Sequence, residues 1–228
     1  MAELKMVVFD VDGTLIDSIA HIEAAMSGAF EACDLPAPKP GAVRDLVGIS
    51  LIGLLDRLQP GLSDAQLNAL AEAYKDRFSS MRASTRVSDT APLFDGALDA
   101  LERLSRRDDT LLGIATGKSR RGLDYLLDGH GLRDYFVTAQ VADDHPSKPH
   151  PAMLEAALRE TGVDKKDAVI VGDTSYDMQM GRSAGVATIG VEWGNHPTDQ
   201  LTPLADHILA DFAQIDSALD QLWGGVRG

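Results

Sequence analysis

Short apolar runs that end at acidic residues or glycine recur along the chain and predict buried strands. Such uninterrupted runs are typical of strands covered on both faces, as in a parallel sheet. The runs lie at residues 7–9, 110–117, 135–141, 168–173 and 186–191. Apolar residues recur at helical spacing between them, for example after Pro151, a residue type that suits the first turn of a helix. This alternation predicts an α/β fold with a doubly wound parallel sheet.

Residues 16–92 break the alternation, because only helical patterns occur there. Ser63 and Gln66 form a capping box that predicts the start of a helix. The apolar stripes with helical spacing cover residues 19–33, 51–58 and 67–81. We therefore expect an all-helical domain at 16–92, inserted into an α/β domain formed by 1–15 and 93–228. The last residues, WGGVRG, are expected to form a frayed terminus.

Composition and charge narrow the classes of function and the cellular compartment. The 228 residues carry a formal net charge of −14, which disfavours binding to nucleic acid or to anionic membranes. Cys33 is the one cysteine, so the chain cannot form an internal disulfide, as is usual in a reducing compartment. The sequence has no apolar run long enough for a signal peptide core or a membrane span. We expect a cytoplasmic protein, either a monomer or a homodimer.

Polar residues follow several predicted strands at the edge of the sheet where ligands of open α/β sheets bind. These residues are Asp10, Asp12, Thr116, Gly117, Lys148, Asp173 and Asp177. Clustered carboxylates stay ionised only beside a cation, and a ligand set of oxygens alone suggests Mg²⁺ rather than zinc. A lysine and a hydroxyl beside that metal would bind phosphate oxygens. The sequence thus predicts a phosphoryl-transfer site.

Four motifs in this order resemble those of the haloacid dehalogenase superfamily of phosphatases, and within it the phosphoglycolate phosphatase group. They are FDVDGTLIDS at residues 9–18, ATGKS at 115–119, KPHP at 148–151 and GDTSYD at 172–177. The resemblance covers nearly the whole chain. It implies a Rossmann-like catalytic core, and it implies that the helical insertion is a small cap domain.

The resemblance also implies chemical roles for the acidic residues. Asp10 would be the nucleophile that forms an aspartyl-phosphate, and Asp12 would protonate the leaving oxygen and later activate water. Mg²⁺ would be held by Asp10, the main-chain carbonyl of Asp12 and Asp173, with support from Asp177. The dehalogenases that attack carbon generally lack an aspartate at the position of Asp12, so its presence favours phosphate chemistry.

The remaining roles concern the phosphate group and the substrate. By the same resemblance, Thr116, the amide of Gly117 and Lys148 would bind the phosphoryl oxygens. Within the helical insertion, Arg44 lies in a region that resembles the one where related enzymes contact substrate. Arg44 is equally well explained as a surface arginine, so the sequence leaves both interpretations open.

The expected activity is Mg²⁺-dependent hydrolysis of a small phosphorylated metabolite, with phosphoglycolate as the family-level substrate. A sugar-phosphate mutase would share every core residue and differ in how the cap keeps water from the aspartyl-phosphate. A pyrophosphatase is a further alternative on the same core. A signalling receiver domain is disfavoured, because its phosphorylated aspartate lies on a middle strand and it has no such insertion. A protein that only binds phosphate would not need both Asp10 and Asp12.

Overall fold

Six strands form one sheet in the computed structural model, which describes residues 3–82 and 86–224. The strands are β1 (Lys5–Phe9), β2 (Thr110–Thr116), β3 (Thr138–Val141), β4 (Ala168–Gly172), β5 (Ala187–Val191) and β6 (His207–Leu209). Their order is β3-β2-β1-β4-β5-β6, and every neighbouring pair is parallel. The five predicted runs account for β1 to β5. The frayed terminus expected at residues 223–228 is wrong for Trp223 and Gly224, which belong to the last helix, where Trp223 packs against the core of the sheet domain. Residues 225–228 of that terminus, and residues 83–85 of the expected insertion, lie outside the described residues.

The helices that follow β1 pack mainly around a hydrophobic core of their own. They are α1 (Ile19–Ala32), α2 (Leu51–Leu58), α3 (Asp64–Arg82) and α4 (Val87–Thr90). Met26 and Phe30 of α1 pack with Leu55 of α2 and Leu70 of α3 in one buried cluster. The helix α4 differs, since its Val87 packs into a core cluster of the sheet domain. The capping box predicted before α3 is present: the Ser63 amide donates to Gln66 Oε1 at 3.0 Å.

The remaining helices cover both faces of the sheet, as a doubly wound fold requires. They are α5 (Ala97–Ser105), α6 (Arg120–His130), α7 (Ala152–Thr161), α8 (Ser175–Ala184), α9 (Thr198–Leu201) and α10 (Ile215–Gly224). Successive side chains of β1 point to opposite faces. Val7 and Phe9 pack in the cluster that includes α5, α6 and α10, and Met6 and Val8 pack in the cluster of α7 and α8. The predicted doubly wound α/β fold is therefore confirmed.

Two chain segments connect the sheet domain to the helices α1 to α3, and they lie side by side. Ile16 and Leu93 form an antiparallel bridge. The Asp17 amide donates to the Pro92 carbonyl at 2.8 Å. No helix in the described part of the chain is both long and apolar enough to cross a membrane.

Candidate active site

The site lies at the carboxyl edge of the sheet, beside its central strands. β1 pairs with β2 on one side and β4 on the other, so the residues that follow these three strands meet at one place. Asp10 follows β1, and its amide continues the ladder by donating to the Val171 carbonyl at 2.9 Å. Asp173 follows β4, and both aspartates are completely buried.

Lys148 reaches the same place from the loop between β3 and α7. Its side chain is buried, with Nζ 2.9 Å from Asp10 Oδ1 and 2.6 Å from Asp177 Oδ1. The structure therefore brings together Asp10, Lys148, Asp173 and Asp177, which the sequence places up to 167 positions apart. Two of these three carboxylates, those of Asp10 and Asp177, thus share one buried ammonium.

The three carboxylates form a cluster that could hold a divalent cation. One carboxylate oxygen from each of Asp10, Asp173 and Asp177 lies within 4.8 Å of the other two. Oδ2 of Asp10 is buried and accepts no hydrogen bond from the described residues. Burial raises the pKa of Asp10 to about 7, although the Lys148 ammonium opposes the shift. A ligand set of carboxylate oxygens, one of them unbonded, fits Mg²⁺.

Asp173 is fixed on both oxygens by neighbouring donors. The Thr14 hydroxyl donates to Oδ1 at 3.0 Å, and the Asn195 amide and side chain donate to Oδ2 at 2.7 and 2.9 Å. Burial raises the pKa of Asp173 well above its ordinary value, and the carboxylate of Asp10 adds to that shift. Sequence reasoning did not assign a role to Asn195. Its position after β5, at the same edge of the sheet, was the available signal.

Asp177 is held by the first turn of α8 as well as by Lys148. Its Oδ2 accepts hydrogen bonds from the Thr174 amide at 3.1 Å and the Thr174 hydroxyl at 2.6 Å. Both of its oxygens therefore have protein partners, unlike those of Asp10. The expected support of a metal by Asp177 stays a prediction, and its contact with Lys148 gives it a second way to order the site.

The side chain of Asp12 bonds to residues outside this cluster and lines a cavity beside the helical insertion. Its Oδ2 lies 2.7 Å from the Lys118 ammonium, and its Oδ1 accepts a short hydrogen bond from the Ser18 hydroxyl. The exposed fraction of the Asp12 side chain is 10%. The two aspartates of the first motif thus have different surroundings. Sequence reasoning noted Lys118 after β2 but gave it no role.

Thr116 and Gly117 complete the edge of the site after β2. The Thr116 hydroxyl accepts a hydrogen bond from the Lys118 amide at 3.3 Å and is buried. Gly117 lies against the insertion: a Cβ at this position would be 2.5 Å from the carbonyl oxygen of Ile49. The absence of a side chain at Gly117 therefore lets the two parts of the chain touch.

Arg44 is the predicted site residue that the structure does not bring to this place. It is exposed on a short 3₁₀ turn (Arg44–Leu46) and does not line the cavity described below. Its contact with substrate stays a prediction. The turn itself meets the sheet domain through the Asp45 carbonyl, which accepts from Nε2 of His196 at 3.0 Å. His196 Nε2 carries the proton because Nδ1 accepts from the Ser175 amide at 3.1 Å.

A cavity of about 430 Å³ lies between Asp12 and the helical insertion. From the sheet domain, Asp12, Gly117 and Lys118 line it. The apolar and aromatic side chains that line it from α1, α2 and α3 include Ile22, Met26, Leu54, Tyr74 and Phe78. The cavity is thus charged at the end near Asp12 and largely apolar on the side of the insertion.

Comparison with known proteins gives one family and a consistent set of relatives. The family model described as haloacid dehalogenase-like hydrolase matches residues 7–191. "Probable phosphatase IndB" of Dickeya dadantii is 33% identical over 223 residues, covering 95% of this chain and 94% of that protein. A phosphoglycolate phosphatase of Vibrio vulnificus is 29% identical over 222 residues, covering 93% of this chain and 95% of its own.

Solved structures share the fold. A hydrolase from Pseudomonas syringae superposes with a TM-score of 0.83 at 23% identity, covering 95% of this chain and 98% of its own. A "predicted phosphoglycolate phosphatase" from Haemophilus somnus gives a TM-score of 0.81 at 23% identity, covering 96% and 99%. At this level of identity, the likeness establishes the architecture rather than the activity.

Proposed function

The chain belongs to the haloacid dehalogenase-like hydrolase family and is a phosphatase, and we propose that it hydrolyses the phosphate ester of a small metabolite through an aspartyl-phosphate on Asp10, with Mg²⁺ as its cofactor. The observation that carries this proposal is the environment of Asp10. One oxygen of this buried carboxylate lies 2.9 Å from the Lys148 ammonium, and the other accepts no hydrogen bond from the described residues. A carboxylate so placed has a lone pair available for attack, with a cation beside it to hold the phosphoryl group.

The metal would be held by Asp10, Asp173 and the main-chain carbonyl of Asp12, with Asp177 in support. Bound there, Mg²⁺ would neutralise charge on the phosphoryl oxygens. The hydrogen bonds from Thr14 and Asn195 fix the orientation of Asp173 before any ligand arrives. Such preorganisation is what a metal site in a phosphoryl-transfer enzyme needs.

The chain's own residues can supply both halves of the reaction. A carboxylate oxygen of Asp10 would attack phosphorus while the ester P–O bond breaks, and Asp12 would give a proton to the leaving oxygen. Asp12 would then accept a proton from water as that water attacks phosphorus, the bond to Asp10 breaks, and inorganic phosphate leaves. Thr116, the Gly117 amide and Lys148 would bind the phosphoryl oxygens in both steps.

The different surroundings of Asp10 and Asp12 support their proposed roles as nucleophile and proton donor, respectively. Asp10 is buried beside Lys148, whereas Asp12 lines the cavity where a leaving group would sit. A proton donor belongs on the side of the departing oxygen, and a nucleophile belongs on the opposite side of phosphorus.

The test is turnover of the purified chain with a panel of phosphorylated metabolites, phosphoglycolate included, with and without Mg²⁺. We expect inorganic phosphate release that a chelator stops and Mg²⁺ restores. Asp10→Asn, which keeps the size of the side chain, should reduce turnover at least about a thousandfold while the thermal unfolding transition persists. Asp108→Asn, at an exposed position, is the matched control and should keep full activity.

Three other outcomes would contradict the proposed activity or the proposed nucleophile. Isomerised sugar phosphate without phosphate release would indicate a mutase, and cleavage restricted to inorganic pyrophosphate would indicate a pyrophosphatase. Retention of activity in Asp10→Asn would show that the nucleophile is misassigned.

A further inference from the structure

The cavity next to Asp12 is larger than phosphoglycolate requires. Its volume is about 430 Å³. Phosphoglycolate has nine non-hydrogen atoms, and at roughly 30 Å³ for each, the share of a water molecule in the liquid, it would need about 270 Å³. Asp10, where the phosphoryl group would bind, does not line this cavity. The space beside Asp12 therefore has room for a leaving group larger than glycolate.

The wall opposite Asp12 is aromatic. Tyr74 and Phe78 are one helical turn apart on α3, and their rings stack with centroids 5.4 Å apart at an interplanar angle of 29°. Ile22, Met26 and Leu54 line the cavity beside them. Flat aromatic surfaces flanked by aliphatic side chains bind planar apolar groups.

Lys118 connects this wall to the chemistry. Its ammonium lies 5.7 Å from the centroid of the Phe78 ring and 2.7 Å from Asp12 Oδ2. The ammonium of Lys118 thus lies close to both the ring of Phe78 and the proposed proton donor, Asp12. A group bonded to the ester oxygen that Asp12 protonates would extend towards Phe78.

The lysine that lies nearest to the proposed proton donor is already paired with it, although Lys75 and Arg121 also line the cavity. Lys118 is paired with Asp12, and Lys75 is paired with Glu72 at 2.7 Å. Arg121 and Asp143 are exposed residues of opposite charge. The carboxylate of glycolate would therefore have to compete with Asp12 for Lys118.

Resting on the phosphatase activity proposed above, we propose that the substrate is the phosphate ester of an alcohol with a planar aromatic body, and that Phe78 is a specificity-determining residue. The aromatic group would pack against Phe78 and Tyr74, while its ester oxygen faces Asp12. Discrimination by one apolar contact of this kind is on the order of tenfold to a hundredfold in kcat/KM.

The test compares benzyl phosphate with ethyl phosphate and 2-phosphoglycolate. Benzyl and ethyl alcohols are similarly basic, so the comparison isolates binding of the ring from the ease of leaving. We expect kcat/KM for benzyl phosphate to exceed that for each of the others by about tenfold or more. Phe78→Ala should lower the benzyl-to-ethyl ratio of kcat/KM about tenfold, and the ratio is the readout because any general loss of activity affects both substrates.

Two further variants keep the test decisive. Phe78→Leu retains an apolar side chain without the ring and should lower the ratio less than Phe78→Ala does. Asp76→Ala, on the same helix at an exposed position outside the cavity lining, should leave the ratio unchanged.

The possible failures differ from one another. Faster hydrolysis of 2-phosphoglycolate than of benzyl phosphate, with a ratio unmoved by either Phe78 variant, would overturn the substrate class and leave the phosphatase proposal standing. Absence of hydrolysis with every phosphate ester would overturn both.

Discussion

Lys148 and Asp177 form a fully buried ion pair, with Nζ 2.6 Å from Oδ1. The same ammonium lies 2.9 Å from Asp10 Oδ1. Burial disfavours the charge on Lys148, yet the carboxylates of Asp10 and Asp177 together raise its pKa above the ordinary value. One lysine therefore holds two buried carboxylates in place, in addition to the phosphate contact expected of it.

Replacement of this lysine should harm both folding and turnover. Lys148→Met leaves two buried carboxylates without their cation, and breaking a buried pair in this way costs about 3–5 kcal/mol. Urea unfolding of the metal-free protein measures the loss. Lys166→Met removes an exposed lysine, 47% accessible, and is the control that should change stability little.

A double variant separates the structural part from the chemical one. Lys148→Met combined with Asp177→Asn should recover part of the lost stability, because one orphaned charge is removed. Turnover should not recover, since the ammonium that binds phosphate is still missing. Wild-type stability in the single variant would contradict the assigned pairing.

The sequence was sufficient to predict five of the six described strands and the residues at the carboxyl edge of the sheet. β1 to β5 are apolar runs long enough to be recognised, and parallel pairing places their carboxyl ends together. β6 was missed because three residues, His207–Leu209, are too few for a pattern. The pairing of Lys148 with Asp177 depends on how the loop before α7 approaches the first turn of α8, which spacing along the chain does not encode.

The contribution of the helical insertion was harder to predict. Phe78 belongs to an apolar stripe, and such a stripe predicts a core position whether or not one ring also faces a cavity. Sequence analysis gave Lys118 no role, and only its distances to Asp12 and Phe78 connect it to the site. Arg44 has the chemistry of an anion ligand but is exposed. Which residues contact the substrate depends on how the helical insertion packs against the sheet domain. The pattern of residues along the sequence does not indicate that packing.

Loss of Asp12 should depend on the leaving group. Asp12→Ala removes the proposed proton donor, and general acid catalysis contributes about a hundredfold to ten-thousandfold. We expect a loss of that size for alkyl phosphates and a much smaller one for p-nitrophenyl phosphate, whose leaving group needs no proton. The measurement is kcat/KM across a series of leaving groups. Equal losses across the series would argue against the assignment.

Gly117 should tolerate no side chain. A Cβ there would lie 2.5 Å from the Ile49 carbonyl oxygen and 2.6 Å from that of Gly48, so the insertion must move away or distort. Gly117→Ala should therefore lower kcat/KM at least about tenfold, because a displaced cavity wall would position the substrate less accurately for reaction. Hydrogen exchange of the segment around Ile49 should increase. Gly224→Ala, where a Cβ meets no atom within 4 Å, is the matched control; activity unchanged in both variants would contradict the contact.

Stability should depend on pH through Glu160, far from the proposed chemistry. The Thr138 hydroxyl and the Gln140 amide donate to its carboxylate, and the hydrogen bond from Thr138 is the main cause of its lowered pKa. The carboxylate thus stabilises the fold fully above the ordinary glutamate pKa of about 4.3 and stops doing so as pH falls through its lowered value. Because the group is exposed, the contribution at pH 7 should be below about 1 kcal/mol. Glu160→Gln should show this deficit in urea unfolding at pH 7 and lose it in strong acid. Glu31→Gln, at an exposed position in the last turn of α1 where a carboxylate gains nothing from the helix dipole, should show none. A deficit independent of pH would mean that packing rather than charge is responsible.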